Sequence, residues 1–281
     1  MKRSIAVVAA IALSACGAPL PDRASSPGAT TPNAAPRDSA RSTASSWPDS
    51  LGGFLALANP VTGNALLFRR DTLSAPASVA VVGYDSTALP AVIRDIRPLP
   101  CGARAILRVT GVAPGWTLAL DASRSAQAHP MIIDVLEDLT AADSQRVVVR
   151  IQRALNTLPD TGSAMEFHAL PVVVRDAWLV HAPSGTFVVA RAARMRNLEA
   201  TAHEELRFVV LEDDQPMFVA RVAGDEEVIE SWDLLAALDV HGQPWLAVAR
   251  EGVSSLQLEV ITREASTWRS VWRSDALSCG K

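Results

Sequence analysis

The sequence predicts a mainly β protein made of antiparallel hairpin meanders, with one amphipathic helix near residues 141–157. Two observations predict it. Short runs rich in Val, Ile and Leu follow one another and are separated by Gly- and Pro-containing turns, as in consecutive hairpins. One longer segment repeats its apolar residues at helical spacing instead. Consecutive hairpins close as a barrel, a sandwich or propeller blades, and the sequence leaves all three open.

The candidate strands lie on both sides of the helix. Before it they are GFLALANP, NALLFRR, SVAVVGY, AVIRDIRPL, RAILRVTG and WTLALDA. After it, four hairpins are predicted around the turns APSG, DDQ, HGQ and EAS. The segment LQLEVIT alternates, so its Leu and Val side chains are expected on one face. By the same alternation, Trp268, Ser270 and Trp272 are expected to share a face of the last long strand.

The helix is predicted from its cap and its apolar spacing. Thr140 followed by Asp143 resembles a capping box, and Pro159 ends the segment. The apolar residues at helical spacing are Val147, Ile151, Leu155 and Leu158.

The opposite face of this helix is basic. It carries Arg146, Arg150 and Arg153. A basic stripe contacts anionic headgroups or an acidic partner in some proteins, whereas in most it is simply a solvated helix face. The sequence leaves both interpretations open.

The N-terminus has the layout of an export signal. Met1-Lys2-Arg3 is followed by the apolar run IAVVAAIAL and by small residues, as in a secretory signal. Leu-Ser-Ala-Cys, ending at Cys16, resembles the bacterial lipobox. The resemblance implies that residues 1–15 are removed and that Cys16 carries the lipid; the alternative is an ordinary signal with a coincidental cysteine. Gly17 in place of Asp implies sorting to the outer membrane, facing the periplasm or the surface.

Composition divides the rest of the chain. Residues 16–50 are rich in Pro, Ser and Ala and are predicted to be a disordered tether, because they contain too little apolar surface to offset the entropy of ordering. An N-terminal β region follows over residues 51–138, then the helix within 139–158. A C-terminal hairpin region covers 159–281 and forms either a second domain or one domain with 51–138.

Charge indicates which partners to expect, and the cysteine content indicates which covalent links to expect. The formal net charge of −4 excludes nucleic acid as an expected partner, because phosphate binding needs a basic face. With Cys16 assigned to the lipid, Cys101 and Cys279 are left as an even pair in an oxidising compartment, and a disulfide between them is predicted. The alternative is two separate thiols, one of them buried.

Residues 230–274 carry a second resemblance. Asp239, Gly242, Pro244 and the strand that follows resemble the integrin-type, propeller-blade calcium repeat of bacterial surface proteins. The resemblance implies a blade-like hairpin. His241, Gln243 and Trp245 replace the acidic ligands, and calcium needs six to eight oxygen ligands, so no metal is expected there.

The sequence contains no local catalytic motif. GxSxG, HExxH, CxxC, GxGxxG and a phosphate loop are all missing from it. His203-Glu204-Glu205 begins like a zinc helix, but Arg207 stands where the second His is needed. His181 and Ser184 are interpreted as part of a hairpin turn. Six acidic residues are interpreted as solvated loop carboxylates: Asp213, Asp214, Asp225, Glu226, Glu227 and Glu230. The alternative is that they hold a divalent ion or include a pair of glycosidase carboxylates.

The sequence therefore favours a non-enzymatic role. The hypothesis is a lipid-anchored envelope protein that binds or scaffolds, with the membrane and an envelope protein as its partners, no cofactor and no known catalytic residue. The alternative is a hydrolase that acts on envelope polymers through carboxylates distant in sequence. A purely structural spacer is a third possibility.

Peptide mapping of the mature protein without reduction is expected to recover Cys101 and Cys279 in one disulfide-linked pair. Closing so long a loop contributes about 4–5 kcal/mol in the chain-entropy model. Cys101→Ala and Cys279→Ala are expected to lower the free energy of unfolding equally, and the double variant no further. Additive losses in the double variant would contradict the bond.

Overall fold

The computed structural model describes residues 55–59, 63–67, 75–99, 102–110, 116–122, 127–160, 162–197, 202–226, 228–274 and 276–278. Within them the prediction of a mainly β fold with antiparallel meanders is confirmed. Cys16, Cys101 and Cys279 lie outside the described residues, as do the predicted signal and tether. In the part of the chain just listed, no helix is long and apolar enough to span a membrane.

The first six strands close into a barrel. They are β1 Leu55–Asn59, β2 Asn64–Leu67, β3 Ala77–Gly83, β4 Ala88–Leu99, β5 Gly102–Val109 and β6 Trp116–Asp121. Their order is β1-β2-β5-β4-β3-β6, and β6 pairs back to β1. Six strands enclose little space, and the barrel core is accordingly made of small and medium apolar residues: Ala65, Val79, Val81, Ala91, Ile93, Ala103, Ala105, Leu107 and Ala119.

A five-stranded meander follows. Its strands are β8 Ile132–Val135, β9 Val173–Ala182, β10 Gly185–Asn197, β11 Ala202–Glu212 and β12 Gln215–Asp225, each paired with the next. Helix α1, Ala141–Asn156, lies between β8 and β9 in sequence, and short 3₁₀ turns cover Leu136–Asp138 and Gly162–Phe167.

The last strands form a second sheet. They are β13 Ser231–Val240, β14 Gln243–Glu251, β15 Ser255–Glu264, β16 Thr267–Arg273 and β17 Leu277–Ser278. The short strand β7, Ala128–Pro130, joins the free edge of β13, and β17 pairs with the start of β15. The sequence interpretation missed β7 and β8, which at three and four residues are too short to show a period.

Two-residue turns join the predicted hairpins. His241 (φ 54°) and Gly242 (φ 79°) are both left-handed, and so are Asp213 (φ 46°) and Asp214 (φ 64°). Positive φ at both central residues defines the type I′ turn, whose twist matches that of the strands it joins. Asp239 lies in β13, before a tight hairpin turn.

The two sheets face each other and share an apolar core. From the five-stranded sheet it contains Trp178, Phe187 and Phe208, and from the second sheet Leu246 and Ile261, all buried. The chain therefore contains a β sandwich in addition to the barrel.

Helix α1 covers the outer face of the five-stranded sheet. Val147, Ile151 and Leu155 pack on Val188 and Val209. The Thr140 hydroxyl oxygen accepts a hydrogen bond from the Asp143 backbone N–H at 3.2 Å. The predicted helix, its cap and its buried face are thus confirmed.

The barrel covers the outer face of the second sheet. Val82, Leu118 and Leu120 of the barrel share a core with Leu238 and Leu258. The described chain is therefore layered as helix, sheet, sheet and barrel, and the second sheet is buried on both faces.

A bulge in β13 decides which residues face the barrel. Leu234 pairs with Val248 and Ala236 with Ala247, so Leu235 is extra. Leu234 packs between the sheets, whereas Leu235 and Ala236 both pack toward the barrel.

A second bulge corrects one expectation. Trp272 pairs with Val260 and Ser270 with Ile261, leaving Val271 extra in β16. Trp268 packs between the sheets and Trp272 packs toward the barrel. The prediction that both tryptophans share a face was therefore wrong, because one inserted residue reverses the alternation. Leu256, Leu258 and Val260 do share the barrel-facing core.

Tyr84, at the end of a barrel strand, forms hydrogen bonds with both sheets. It follows β3, donates its hydroxyl to the Leu234 carbonyl oxygen at 2.6 Å, and accepts the Ile133 N–H on its own carbonyl at 2.8 Å. Removing the hydroxyl leaves the Leu234 carbonyl without this donor.

Tyr84→Phe is expected to lower the free energy of unfolding by about 1 kcal/mol, the typical net value of such a hydrogen bond. Urea denaturation measures it. Tyr84→Ala removes the ring as well and is expected to cost several times more. Equal stabilities of the wild type and the Phe variant would show that the hydroxyl does not stabilise the junction.

Candidate functional site

A group of buried charges lies beside helix α1 on the outer face of the five-stranded sheet. We call it the arginine cluster and define it as Asp160, Arg194, Glu205, Arg207 and Arg221. Arg194 continues the β10 face that packs on the helix, and Glu205 and Arg207 continue the corresponding face of β11. Asp160 follows the helix by four residues. The loop after the helix and three strands thus contribute to one group.

The cluster is a continuous chain of ion pairs. Asp160 Oδ1 accepts from Arg194 Nη1 at 2.7 Å and from Arg207 Nη2 at 3.0 Å. The same Arg207 nitrogen lies 2.7 Å from Glu205 Oε2, and Arg221 Nε lies 3.0 Å from Glu205 Oε1. Arg207 Nη1 also donates to the Leu155 carbonyl oxygen of α1 at 3.3 Å. The cluster therefore fixes the end of the helix to the sheet.

These ion pairs are largely shielded from solvent. The side chains of Arg207 and Glu205 are 1% and 0% exposed, and those of Arg194 and Asp160 are 5% and 9% exposed. Burial raises the pKa of Asp160, but hydrogen bonds from His168, Arg194 and Arg207 outweigh it and hold that pKa below its ordinary value. These partners therefore favour the ionised form of Asp160.

The arginines outnumber the carboxylates. Among the described residues the cluster has three arginines and two carboxylates, so its formal charge is +1. Burial, followed by the neighbouring Arg207 guanidinium, lowers the pKa of Arg221. Arg194 Nε and Arg207 Nε are buried and have no hydrogen-bond partner in the described part of the chain. The cluster is a strongly constrained, incompletely paired network.

His203 borders the cluster on the same face of β11. Its Nε2 lies 3.1 Å from Glu166 Oε1 and its Nδ1 lies 3.1 Å from Asp225 Oδ1. The ring stacks on Phe167, with 5.6 Å between centroids and 9° between planes. The hydrogen bond to Asp225 raises the pKa of His203, and Glu166 adds to the effect.

A second group of charges lies where the three β layers meet. Arg191 Nη2 is 2.5 Å from Asp176 Oδ2, and Arg191 Nη1 is 2.9 Å from Asp233 Oδ1. Partial desolvation raises the pKa of Asp233. The Arg191 guanidinium lowers that pKa, and the neighbouring Asp176 carboxylate raises it further. Burial raises the pKa of nearby Tyr84. Two carboxylates here flank one arginine, and their side chains are 28% and 46% exposed.

A third arrangement surrounds His181. Its Nε2 lies 2.8 Å from Asp134 Oδ2 and its Nδ1 lies 3.0 Å from Thr186 Oγ1. Three neighbouring strands supply these groups, at an exposed end of the sheet. The hydroxyl that contacts His181 belongs to Thr186. Ser184 lies in the predicted hairpin turn between β9 and β10.

The remaining sequence candidates have individual partners. His203-Glu204-Glu205 lies in a strand and not in a helix. Glu204 pairs with Arg175, Asp225 with His203, and Glu230 with Arg250. Asp213 and Asp214 form a hairpin turn. The described residues bring no three His, Cys, Asp or Glu side chains together in a way that could hold a metal ion.

The basic stripe of the helix is partly neutralised within the molecule. Arg146 pairs with Asp143 of its own helix, and Arg150 pairs with Asp214 in the β11–β12 turn. Arg153 is exposed. This pairing favours the solvated-face interpretation over a membrane contact.

Sequence reasoning missed the arginine cluster. One local signal was present: Glu205 and Arg207 occupy the same alternating positions as Val209 and Leu211. Charges on an otherwise apolar strand face indicate buried ion pairs, because buried charge persists only when it is paired. Their partners were not detectable locally, since Asp160 lies 47 residues before Arg207.

Comparison with known proteins does not assign a function. No family model matches this chain, and no curated protein or solved structure is significantly similar to it. The lipobox and repeat resemblances therefore remain predictions, and the function has to be argued from the geometry.

Arg207→Met is expected to lower the free energy of unfolding by about 3 kcal/mol, because it removes a shared partner from two buried carboxylates. Denaturant unfolding measures the loss. The matched control is Arg150→Gln, whose partner is exposed, and its expected effect is below about 1 kcal/mol. A loss for Arg207→Met no larger than the control's would show that the cluster does not hold the helix in place.

Proposed function

We propose that the chain is a membrane-anchored envelope lipoprotein whose folded part is a binding or scaffolding module. The lipid is carried by Cys16, and residues 16–50 tether the folded part to the outer membrane. The partners are the membrane, through the lipid, and an envelope protein.

One observation carries the choice of a module over an enzyme. Arginine holds all three buried glutamates of the described residues, Glu204, Glu205 and Glu259, and also Asp160, whose side chain is 9% exposed. Hydrolysis by paired carboxylates needs one of them protonated, with its pKa raised. An arginine partner favours the ionised form of a carboxylate. The ion pairs of these four groups connect elements of the fold, which is a structural role.

The layered packing supports the same proposal. Helix, two sheets and barrel bury a core at every junction, so the described layers pack together as one unit. A packed unit on a long tether suits a protein that presents a surface to a partner at a distance from the membrane.

The rival hydrolase is favoured by one site. Asp176 and Asp233 flank Arg191 and are partly open to solvent, and partial desolvation raises the pKa of Asp233. A carboxyl with a raised pKa beside an ionised one is the arrangement that glycoside hydrolysis uses. Wild-type protein that releases fragments from isolated envelope polymers, with Asp233→Asn inactive but folded, would replace the module by this enzyme.

Cross-linking the lipidated protein in its own cells tests the module. Recovery of one envelope protein in near-stoichiometric amount is expected, and it must fall when that protein's contact with the folded part is blocked by added folded domain. Recovery of lipid and polymer fragments alone would overturn the proposal.

Cys16→Ala is expected to abolish incorporation of labelled fatty acid and to move the protein from the membrane fraction to the soluble fraction. Intact mass of the mature protein and membrane fractionation measure this. The Cys101→Ala/Cys279→Ala double variant is the matched control and should still be lipidated. A membrane-bound, unlabelled wild type would contradict the anchor.

A further inference from the structure

We propose that protonation of His203 controls a pH-dependent local opening of the fold. The segment that opens is the 3₁₀ turn Gly162–Phe167, which follows Asp160 of the arginine cluster and which we call the latch. Protonated His203 holds the latch against β12, and loss of that proton releases it. This inference concerns the folded part alone and does not depend on the proposed function.

The hydrogen-bonding geometry requires the charged form of the ring. A neutral imidazole has one N–H donor and one lone pair, whereas imidazolium has two donors. Both ring nitrogens of His203 face a carboxylate oxygen at 3.1 Å, Glu166 on one side and Asp225 on the other. A neutral ring would direct its lone pair at one of these carboxylates. Deprotonation therefore converts one attraction into a repulsion.

The two carboxylates belong to different elements. Glu166 lies in the latch, and Asp225 is the last residue of β12 and the register partner of His203. The charged His203 is thus the link between the latch and the sheet. Its side chain is 24% exposed, so protons reach it from solvent.

The remaining charges around His203 are of both signs. Arg196 is its register partner on β10 and is exposed. Glu205 and Arg207 follow on the same face of β11, and Glu205 is held by Arg207 and Arg221. Since Glu205 already has its own cations, Glu166 and Asp225 are the two carboxylates whose contacts change when His203 titrates.

The latch covers apolar surface. Phe167 is 0% exposed and stacks on His203, and its carbonyl oxygen accepts from Arg194 Nη1 at 3.5 Å. His168 follows, and its Nδ1 lies 3.1 Å from Asp160 Oδ2. Opening the latch therefore exposes the Phe167 ring and the edge of the arginine cluster.

The pH dependence has a definite sign. A histidine whose folded-state pKa is raised stabilises the closed form fully below its ordinary pKa of about 6.5. That contribution is lost as the pH rises through the raised pKa of His203. The latch is therefore closed in mildly acidic medium and loosens in alkaline medium.

Two measurements on the full-length protein in detergent test the latch. NMR titration of ¹³C-labelled histidines gives the pKa of His203, expected above about 6.5. Hydrogen exchange of residues 162–168 at pH 5.5 to 9, corrected for the intrinsic rate at each pH, gives the opening equilibrium. Opening is expected to increase about tenfold for each unit by which the pKa of His203 exceeds its ordinary value. Agreement between the two measurements supports the latch.

Three variants test whether His203 itself, and not a general loosening of the fold, controls opening of the latch. His203→Gln should exchange with no pH dependence at residues 162–168, and Glu166→Gln, on the exposed side, should lower the pKa of His203. His181→Gln is the matched control, because His181 also contacts a carboxylate but lies outside the latch, and it should leave the pH dependence unchanged. An ordinary or lowered pKa of His203, or a pH-dependent opening that survives in His203→Gln, would overturn the proposal.

Discussion

Burial of the second sheet on both faces is the constraint on which the rest of the structure depends. One face of β13, β14 and β15 forms the sandwich with the five-stranded sheet, and the other supports the barrel. Such strands must be apolar at nearly every position, and Leu234–Leu238 is an uninterrupted apolar run. The barrel and the five-stranded sheet bury their apolar faces through this sheet, and helix α1 is one layer further out. A polar substitution in β13 would therefore disturb either the core between the sheets or the core against the barrel, depending on the face that the side chain occupies.

The alternation of side chains along a strand explains how much of this fold could be predicted. All six runs that precede the helix became barrel strands, and the four turns became hairpins, because alternation and turn residues are local signals. Closure of the barrel depends on β6 returning to β1, which no local pattern encodes. The extra residues Leu235 and Val271 reverse the alternation at one point in each strand. Sequence periodicity assumes an unbroken alternation, and this assumption misplaced Trp272.

The candidate sites were less predictable than the fold for a related reason. A catalytic motif is a local pattern, whereas the arginine cluster is assembled from the loop that follows α1 and from three strands. Arg194 lies 34 residues after the Asp160 that it binds. The strand predicted before the DDQ turn includes Arg207, but His203 lies ahead of that strand and was interpreted separately, from its spacing to Arg207. Once the strand is known, His203, Glu205 and Arg207 necessarily share a face.

The distribution of charge connects the cluster to the latch. Breaking a buried ion pair is far more costly than breaking an exposed one, so the pair of Asp160 and Arg207 holds the loop after the helix firmly to the sheet. His203 lies at the boundary of this network, where its proton exchanges with solvent and both of its partners are carboxylates. The neighbouring buried pairs keep β11 and the loop in place while the histidine titrates. A single protonation can therefore move the turn 162–167 without loosening the layers beneath it, which is the property that a local conformational switch requires.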